Sequence, residues 1–245
     1  MTKQIISFTL LLLTGIFSLQ AADSKPIRIG TNDIDLILKI GDNGRLYQSY
    51  LGERLQSEAD IAFLKQGKEV YLTHGLEDYF EPAIRVLHGN PSLLLKYVSH
   101  ENRKIDDNVT ETVITLQDDK YPVEVKLFFT TFAKENIIKE RTEIKHQEKK
   151  PITLYNYASS LLHLNADHYW LTEFSGEWAH EANMTERQLD FGKKIIDTKL
   201  GVRANMFCSP FFFLSLNQPA RENEGDILMG TIGWTGNFRF TFEVD

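Results

Sequence analysis

The stretch VTETVITLQDDKYPVEVKLFFTTFAKENIIKERTEIKH, Val109 to His146, decides the fold class. Val109 to Leu116 alternates apolar and polar residues, Asp118-Asp119-Lys120 turns the chain, and Val123 to Phe132 alternates again. A short loop around Lys134-Glu135-Asn136 leads into a third such run, Ile137 to His146. A period of two places successive side chains on opposite faces of a pleated strand, so each run presents one face to a core and one to water. Short polar turns between the runs make the neighbours antiparallel.

The same pattern extends in both directions. Ile34, Leu36, Leu38 and Ile40 alternate, Asp42-Asn43-Gly44 supplies a hairpin turn, and Arg45 to Leu51 runs back. Downstream, Gln147 to Pro151 is a charged turn before Ile152 to Leu162. The last run, FRFTFEVD, sets Phe238, Phe240, Phe242 and Val244 against Arg239, Thr241, Glu243 and Asp245, which puts an aromatic row toward a core. It stops in full stride, without the polar fade-out that usually marks a free end, and so reads as a strand cut off from a neighbour. Leu51 to Lys65 and Asn183 to Leu189 are the two places where a short helix fits. Strands at this spacing, without intervening helices, predict antiparallel sheets packed face to face and one domain over residues 25–245.

Residues 1–22 read differently from the rest. Lys3 precedes an apolar run from Ile5 to Leu19, and Gln20-Ala21-Ala22-Asp23 follows, the layout of a secretory signal peptide with small residues at the cleavage site. The run is short of the roughly 20 residues needed to span a bilayer. The expectation is a cleaved leader, a mature protein without a membrane segment, and a periplasmic or extracellular location. Cys208 is the single cysteine, so no disulfide can form within the chain; in the apolar company of Met206, Phe207 and Phe211 it reads as a small buried hydrophobe.

A net charge of −7 argues against nucleic acid as a partner, and no cationic stripe appears, since Lys149-Lys150 and Lys193-Lys194 are isolated basic pairs. Glu173, Glu177 and Glu181 are spaced by four but fall on strand and loop sequence, so they do not mark the facing carboxylate pair of a glycosidase. His163, Asp167 and His168 match no zinc spacing and read as hydrogen-bonded loop residues. Ser159-Ser160 and Ser209 lack a nucleophile-elbow context, and no glycine loop cradles a phosphate. Neither a metal nor a cofactor is expected. Asn108-Val109-Thr110 and Asn183-Met184-Thr185 match the glycosylation acceptor pattern. An exported, acidic β-protein with Trp170, Trp178 and Trp234 suggests carbohydrate, because sugar rings stack on aromatic faces; the core is the other ordinary place for an indole.

Several segments, in order, resemble the N-terminal domain of family 36 glycoside hydrolases, the α-galactosidases. They are GLEDYFEPAIRV (Gly75 to Val86), LKYVSHE (Leu95 to Glu101) and YWLTEFSGEW (Tyr169 to Trp178), followed by Gly201, Ser209-Pro210-Phe211, Gly225-Asp226 through Gly230, and Trp234-Thr235-Gly236-Asn237-Phe238. The resemblance implies an antiparallel β-supersandwich of two large packed sheets, of the galactose-mutarotase type. It also implies a following (β/α)8 barrel, outside these residues, that carries the nucleophile and acid/base aspartates for retaining hydrolysis of terminal α-galactosides. No position here matches those aspartates, so no residue is carried over as catalytic and this chain alone is expected to be inactive. Relatives often form oligomers in which this domain packs on the barrel and lends side chains to the active-site entrance. Trp178, Trp234 and Asn237 are the candidates for that role here, although for Trp234 the core is the preferred place. The sequence departs from relatives at Ala179-His180-Glu181-Ala182, on both sides of Gly201, and between Leu55 and Lys65, so the α-galactoside preferred is not carried over. The alternative is a free-standing carbohydrate-binding or structural β-sandwich module.

Overall fold

The structure, a computed structural model, describes residues 25–75, 81–87 and 93–245. The leader expected at residues 1–22 lies outside the described residues, as does part of the Gly75–Val86 segment. In chain order the strands are β1 (Ile27–Gly30), β2 (Ile34–Ile40), β3 (Leu46–Glu53), β4 (Lys68–Glu69), β5 (Ile84–Leu87), β6 (Leu95–Lys104), β7 (Val109–Asp118) and β8 (Val123–Phe132). They continue with β9 (Ile137–His146), β10 (Thr153–Tyr157), β11 (Tyr169–Glu177), β12 (His180–Gln188), β13 (Gly192–Thr198), β14 (Phe211–Arg221), β15 (Glu224–Thr231) and β16 (Phe238–Val244). Among the described residues one α-helix, α1 (Glu58–Phe63), lies between β3 and β4.

The fold is all-β and the named strands pair antiparallel throughout. Hydrogen-bonded ladders divide it into sheets β1-β2-β3-β4, β6-β7-β8-β9 and β12-β11-β14-β15, with two-stranded pairs β10-β5 and β13-β16. The β7–β8–β9 meander follows the period-two reading: Val109 sits opposite Phe132, and Phe132 opposite Ile137. Val123, Val125, Leu127 and Phe129 of β8 are buried, and Glu124, Lys126 and Thr130 take the other face.

Two apolar cores result. In the first, Ile27, Ile29, Leu36, Leu38 and Leu46 of the β1–β4 sheet meet Ile114, Leu116 and the inward row of β8, and Ile84 and Val86 of β5 close one end. In the second, Leu171 of β11 and Leu214 of β14 pack on Ile196 of β13 and Phe238 of β16. Phe240 and Phe242 set their rings edge-on to Phe212 at 5.1 and 4.8 Å, so the aromatic row of the last strand faces a core as expected.

The most deeply buried carboxylate of the first sheet is fully paired. Asp35, with no exposed side-chain surface, takes both nitrogens of a bidentate Arg28 fork at 2.9 and 2.7 Å and a third hydrogen bond from the Leu55 amide. Helix α1 lies within the Leu51–Lys65 segment expected to allow one. Ser57 caps it reciprocally with Asp60, and Ile61 is its buried residue. The other expected helix position is corrected: Asn183 onward belongs to strand β12, whose register with β11 runs from Trp170 opposite Gln188 to Glu177 opposite His180. A full ladder of hydrogen bonds outweighs the weak helix propensity of a seven-residue segment. Expected strand Ile152–Leu162 is shorter, because after Tyr157 the chain leaves the ladder to cross between the cores.

That crossing, residues 158–168, is held by side chains rather than by a sheet. Tyr71 donates to Ala158 O at 2.8 Å, Thr142 to Ser159 O at 3.0 Å, and Gln48 makes both an outgoing and an incoming bond with the His163 backbone. Lys193 then bridges Glu81 and Glu243 at 2.6 and 3.2 Å, and Lys68 reaches Asp245 at 2.6 Å. A polar seam thus ties the second core to the first.

Glu140 of β9 accepts the Ser160 hydroxyl, and burial raises its carboxyl to about 7, a rise the hydrogen bond only partly offsets. Its ordinary value is 4.5, so the unfolded chain binds fewer protons between these values, and stability falls as pH rises through that window. Glu140→Gln keeps an acceptor for Ser160 without the charge. Urea unfolding should show the variant matching the parent near pH 4.5 and exceeding it by up to about 3 kcal/mol at pH 8; equal stabilities at pH 8 would contradict the assignment.

Candidate functional site

Strand directions bring three loops to one end of the second core. β11 runs toward the turn Trp178–Ala179, β13 ends at Thr198 and is followed by the loop that enters β14 at Phe211, and β15 ends at Thr231 before the loop into β16. All three residues expected at a functional entrance, Trp178, Trp234 and Asn237, lie on these loops. The order of strands, not closeness in sequence, assembles them.

The β11–β12 turn is tight. A Cβ on Gly176 would stand 3.1 to 3.3 Å from the backbone of Glu181, Ala182 and His180, so glycine lets the returning strand close in. Ala179 takes a left-handed φ of 59°, which leaves Trp178 projecting from the tip with 89% of its surface exposed. The middle loop begins with a 3-10 turn at Gly201–Arg203 and then runs along β11, with Gly176 N donating to Phe207 O at 3.1 Å and Ser209 N to Phe174 O at 2.9 Å. Asn237 fastens this loop to the third: its Oδ1 accepts from the Gly201 amide at 2.7 Å.

Trp234 is 63% exposed, which corrects the core placement preferred for it from the sequence. A Cβ on Gly236 would fall 2.5 Å from its Nε1, so the indole lies over the bare backbone of that glycine and faces outward. Val202 and Phe207 of the middle loop are exposed as well, so this end presents apolar and aromatic surface from all three loops.

Other expected candidates have structural partners. Glu173 binds Arg187 at 2.9 Å and Lys194 at 2.8 Å, and Glu181 accepts from the Ala179 amide, so the three glutamates do not converge. His163 places Nε2 2.7 Å from Glu69 O; burial, helped by the charge of Lys68, lowers its pKa to about 4. His168 pairs with Gln188. Among the described residues no three His, Cys, Asp or Glu side chains gather as metal ligands. Cys208 Sγ lies 3.6 Å from Asp197 O, and burial together with Asp197 and Glu173 raises its pKa, so the thiol is protonated at neutral pH. Asn108 uses its side chain in the turn, donating to Glu135 at 2.7 Å and accepting from the Lys134 amide at 2.9 Å.

A larger surface was missed. Phe211-Phe212-Phe213-Leu214 is apolar on both faces of β14. Phe212 and Leu214 enter the second core; Phe211 and Phe213 turn outward and pack with Phe174 at ring separations of 4.9 to 6.0 Å. An unbroken apolar run at the centre of a sheet is the available signal, since strands covered on both faces lose the polar alternation.

Residues 41–245 match the glycosyl hydrolase family 36 N-terminal domain. The chain is 29% identical over 191 residues to alpha-galactosidase 2 of Pediococcus pentosaceus, an alignment covering 71% of this chain and 26% of that protein. Among solved structures, the alpha-galactosidase of Lactobacillus brevis superposes with a TM-score of 0.77 at 22% identity, over 90% of this chain and 34% of the other. The GH36 alpha-galactosidase AgaA of Geobacillus stearothermophilus, in a variant complexed with raffinose, gives 0.78 at 20% identity, over 90% and 36%.

Removal of the Asn237 acceptor leaves the Gly201 amide without its side-chain partner. Asn237→Ala should cost about 1 kcal/mol in urea unfolding and speed proteolysis within residues 200–207, whereas exposed Trp178→Ala should change stability by less than about 0.5 kcal/mol. Equal effects of the two would contradict these placements.

Proposed function

We propose that this chain, which belongs to the glycosyl hydrolase family 36 N-terminal domain family, serves as the non-catalytic N-terminal β-supersandwich of an exported α-galactosidase. Its own residues do not perform the hydrolysis of terminal α-galactosides. That step belongs to a (β/α)8 barrel outside residues 1–245, and this domain packs on the barrel and shapes the approach to its active site. The observation that carries the reading is the match over residues 41–245 in a chain that covers only 34 to 36% of the Lactobacillus brevis and Geobacillus stearothermophilus enzymes it superposes on.

Within this reading, the loops bearing Trp178, Trp234 and Asn237 are the entrance elements, either for the barrel of the same polypeptide or for that of a neighbouring subunit in a homo-oligomer. An exposed indole on a tight turn offers a flat apolar face to a sugar ring at low entropic cost, since the turn is fixed before the sugar arrives. The leader pattern of residues 1–22 supports export to the periplasm or the medium.

Purified residues 23–245 should show no turnover of a chromogenic α-galactoside and no saturable heat with galactose, melibiose or raffinose in titration calorimetry. Turnover that copurifies with the chain would overturn the non-catalytic assignment. Saturable heat abolished by Trp178→Ala would instead favour a free-standing carbohydrate-binding module, the reading that two exposed indoles at one end of the molecule also allow.

A further inference from the structure

We infer that the outer face of the β12-β11-β14-β15 sheet is the surface on which the remaining part of an α-galactosidase polypeptide docks. The inference rests on the functional reading above and adds the place of contact. Cross-strand register sets Met184 opposite Phe174, Phe213 opposite Met229, and Phe211 opposite Thr231, all on the face turned away from the second core. Ile227, two residues before Met229, shares that face.

The outward side chains form a continuous apolar patch: the three phenylalanine rings make its centre, with Met184, Ile227 and Met229 68, 53 and 58% exposed around them. Thr172 and Ser215 lie on the same face beneath these larger side chains and are buried. Solvated antiparallel sheets keep polar side chains on the outer face, and contiguous apolar surface of this kind marks an interaction site. Methionines at its margin suit a surface that must conform to a partner.

The occupant follows from length and position. The solved relatives that share this fold are about three times as long as the matched part, since this chain covers 34 and 36% of them. The additional polypeptide is a partner already present in each such enzyme at unit stoichiometry. The patch also runs up to the loop end, because Phe174 and Phe211 lie beside Ser209 and the bridge from Ser175 to Cys208. A body seated on the patch therefore meets the loops of Trp178 and Trp234 at its margin, so one docking event covers the sheet and brings the entrance elements to the active-site mouth.

Methionine oxidation reads this directly. In the chain alone, dilute peroxide followed by mass spectrometry should oxidise Met184 and Met229 at rates near those of an unstructured methionine peptide. A chimera fusing this chain, after Asp245, to the unmatched part of Geobacillus stearothermophilus AgaA should oxidise both at least tenfold more slowly and should hydrolyse raffinose. A chimera that hydrolyses raffinose while both methionines oxidise at the free rate overturns the docking face and leaves the functional reading standing. An inactive chimera overturns the functional reading and this inference with it. Protection that appears in the chain alone and grows with concentration assigns the face to a second copy and also overturns the inference.

Discussion

A strand with apolar side chains on both faces can rest only where both faces are covered, and β14 is such a strand. Phe212 and Leu214 fill the second core from one side, and Phe211 and Phe213 point away from it. The inner demand explains why β13 and β16 lie where they do: Ile196, Phe238, Phe240 and Phe242 are the cover for that side. On the outer side Met184, Ile227 and Met229 stay more than half exposed, and the functional account follows from that asymmetry. At about 25 cal/mol per Å² of buried apolar area, covering such a surface is a substantial driving force, which a separate domain of the same enzyme would supply without the entropic penalty of recruiting a free partner.

Between the two cores the connection is polar. Gln48 mimics a strand partner for the His163 backbone, and Lys193 joins Glu81 to Glu243. Hydrogen bonds and ion pairs fix geometry through direction and distance, whereas apolar contacts tolerate sliding. The arrangement therefore sets how the second core and its loop end are presented relative to the first.

The alternating strands were legible because burial of one face imposes the period of two on the sequence; Val123 to Phe132 alternates buried and half-buried side chains without a break. β12 was less so. An exposed edge strand carries no apolar alternation, and His180–Gln188 is almost wholly polar, so only its pairing with β11 identifies it. Trp178, Trp234 and Asn237 could be named from the resemblance, but their convergence depends on β11, β13 and β15 all ending at the same side, a property of topology that local sequence does not encode. The Glu140 pair was hidden for a related reason: its partner Ser160 lies on the crossing segment, 20 residues away.

The central claim is that the outer face of β14 belongs against the catalytic part of an α-galactosidase. Benzoylphenylalanine in place of Phe213, photolysed in the Geobacillus chimera, tests it most directly. The account predicts a crosslink mapping by mass spectrometry to a peptide outside residues 1–245; an adduct confined to this domain, to a second copy of it, or to solvent would contradict it.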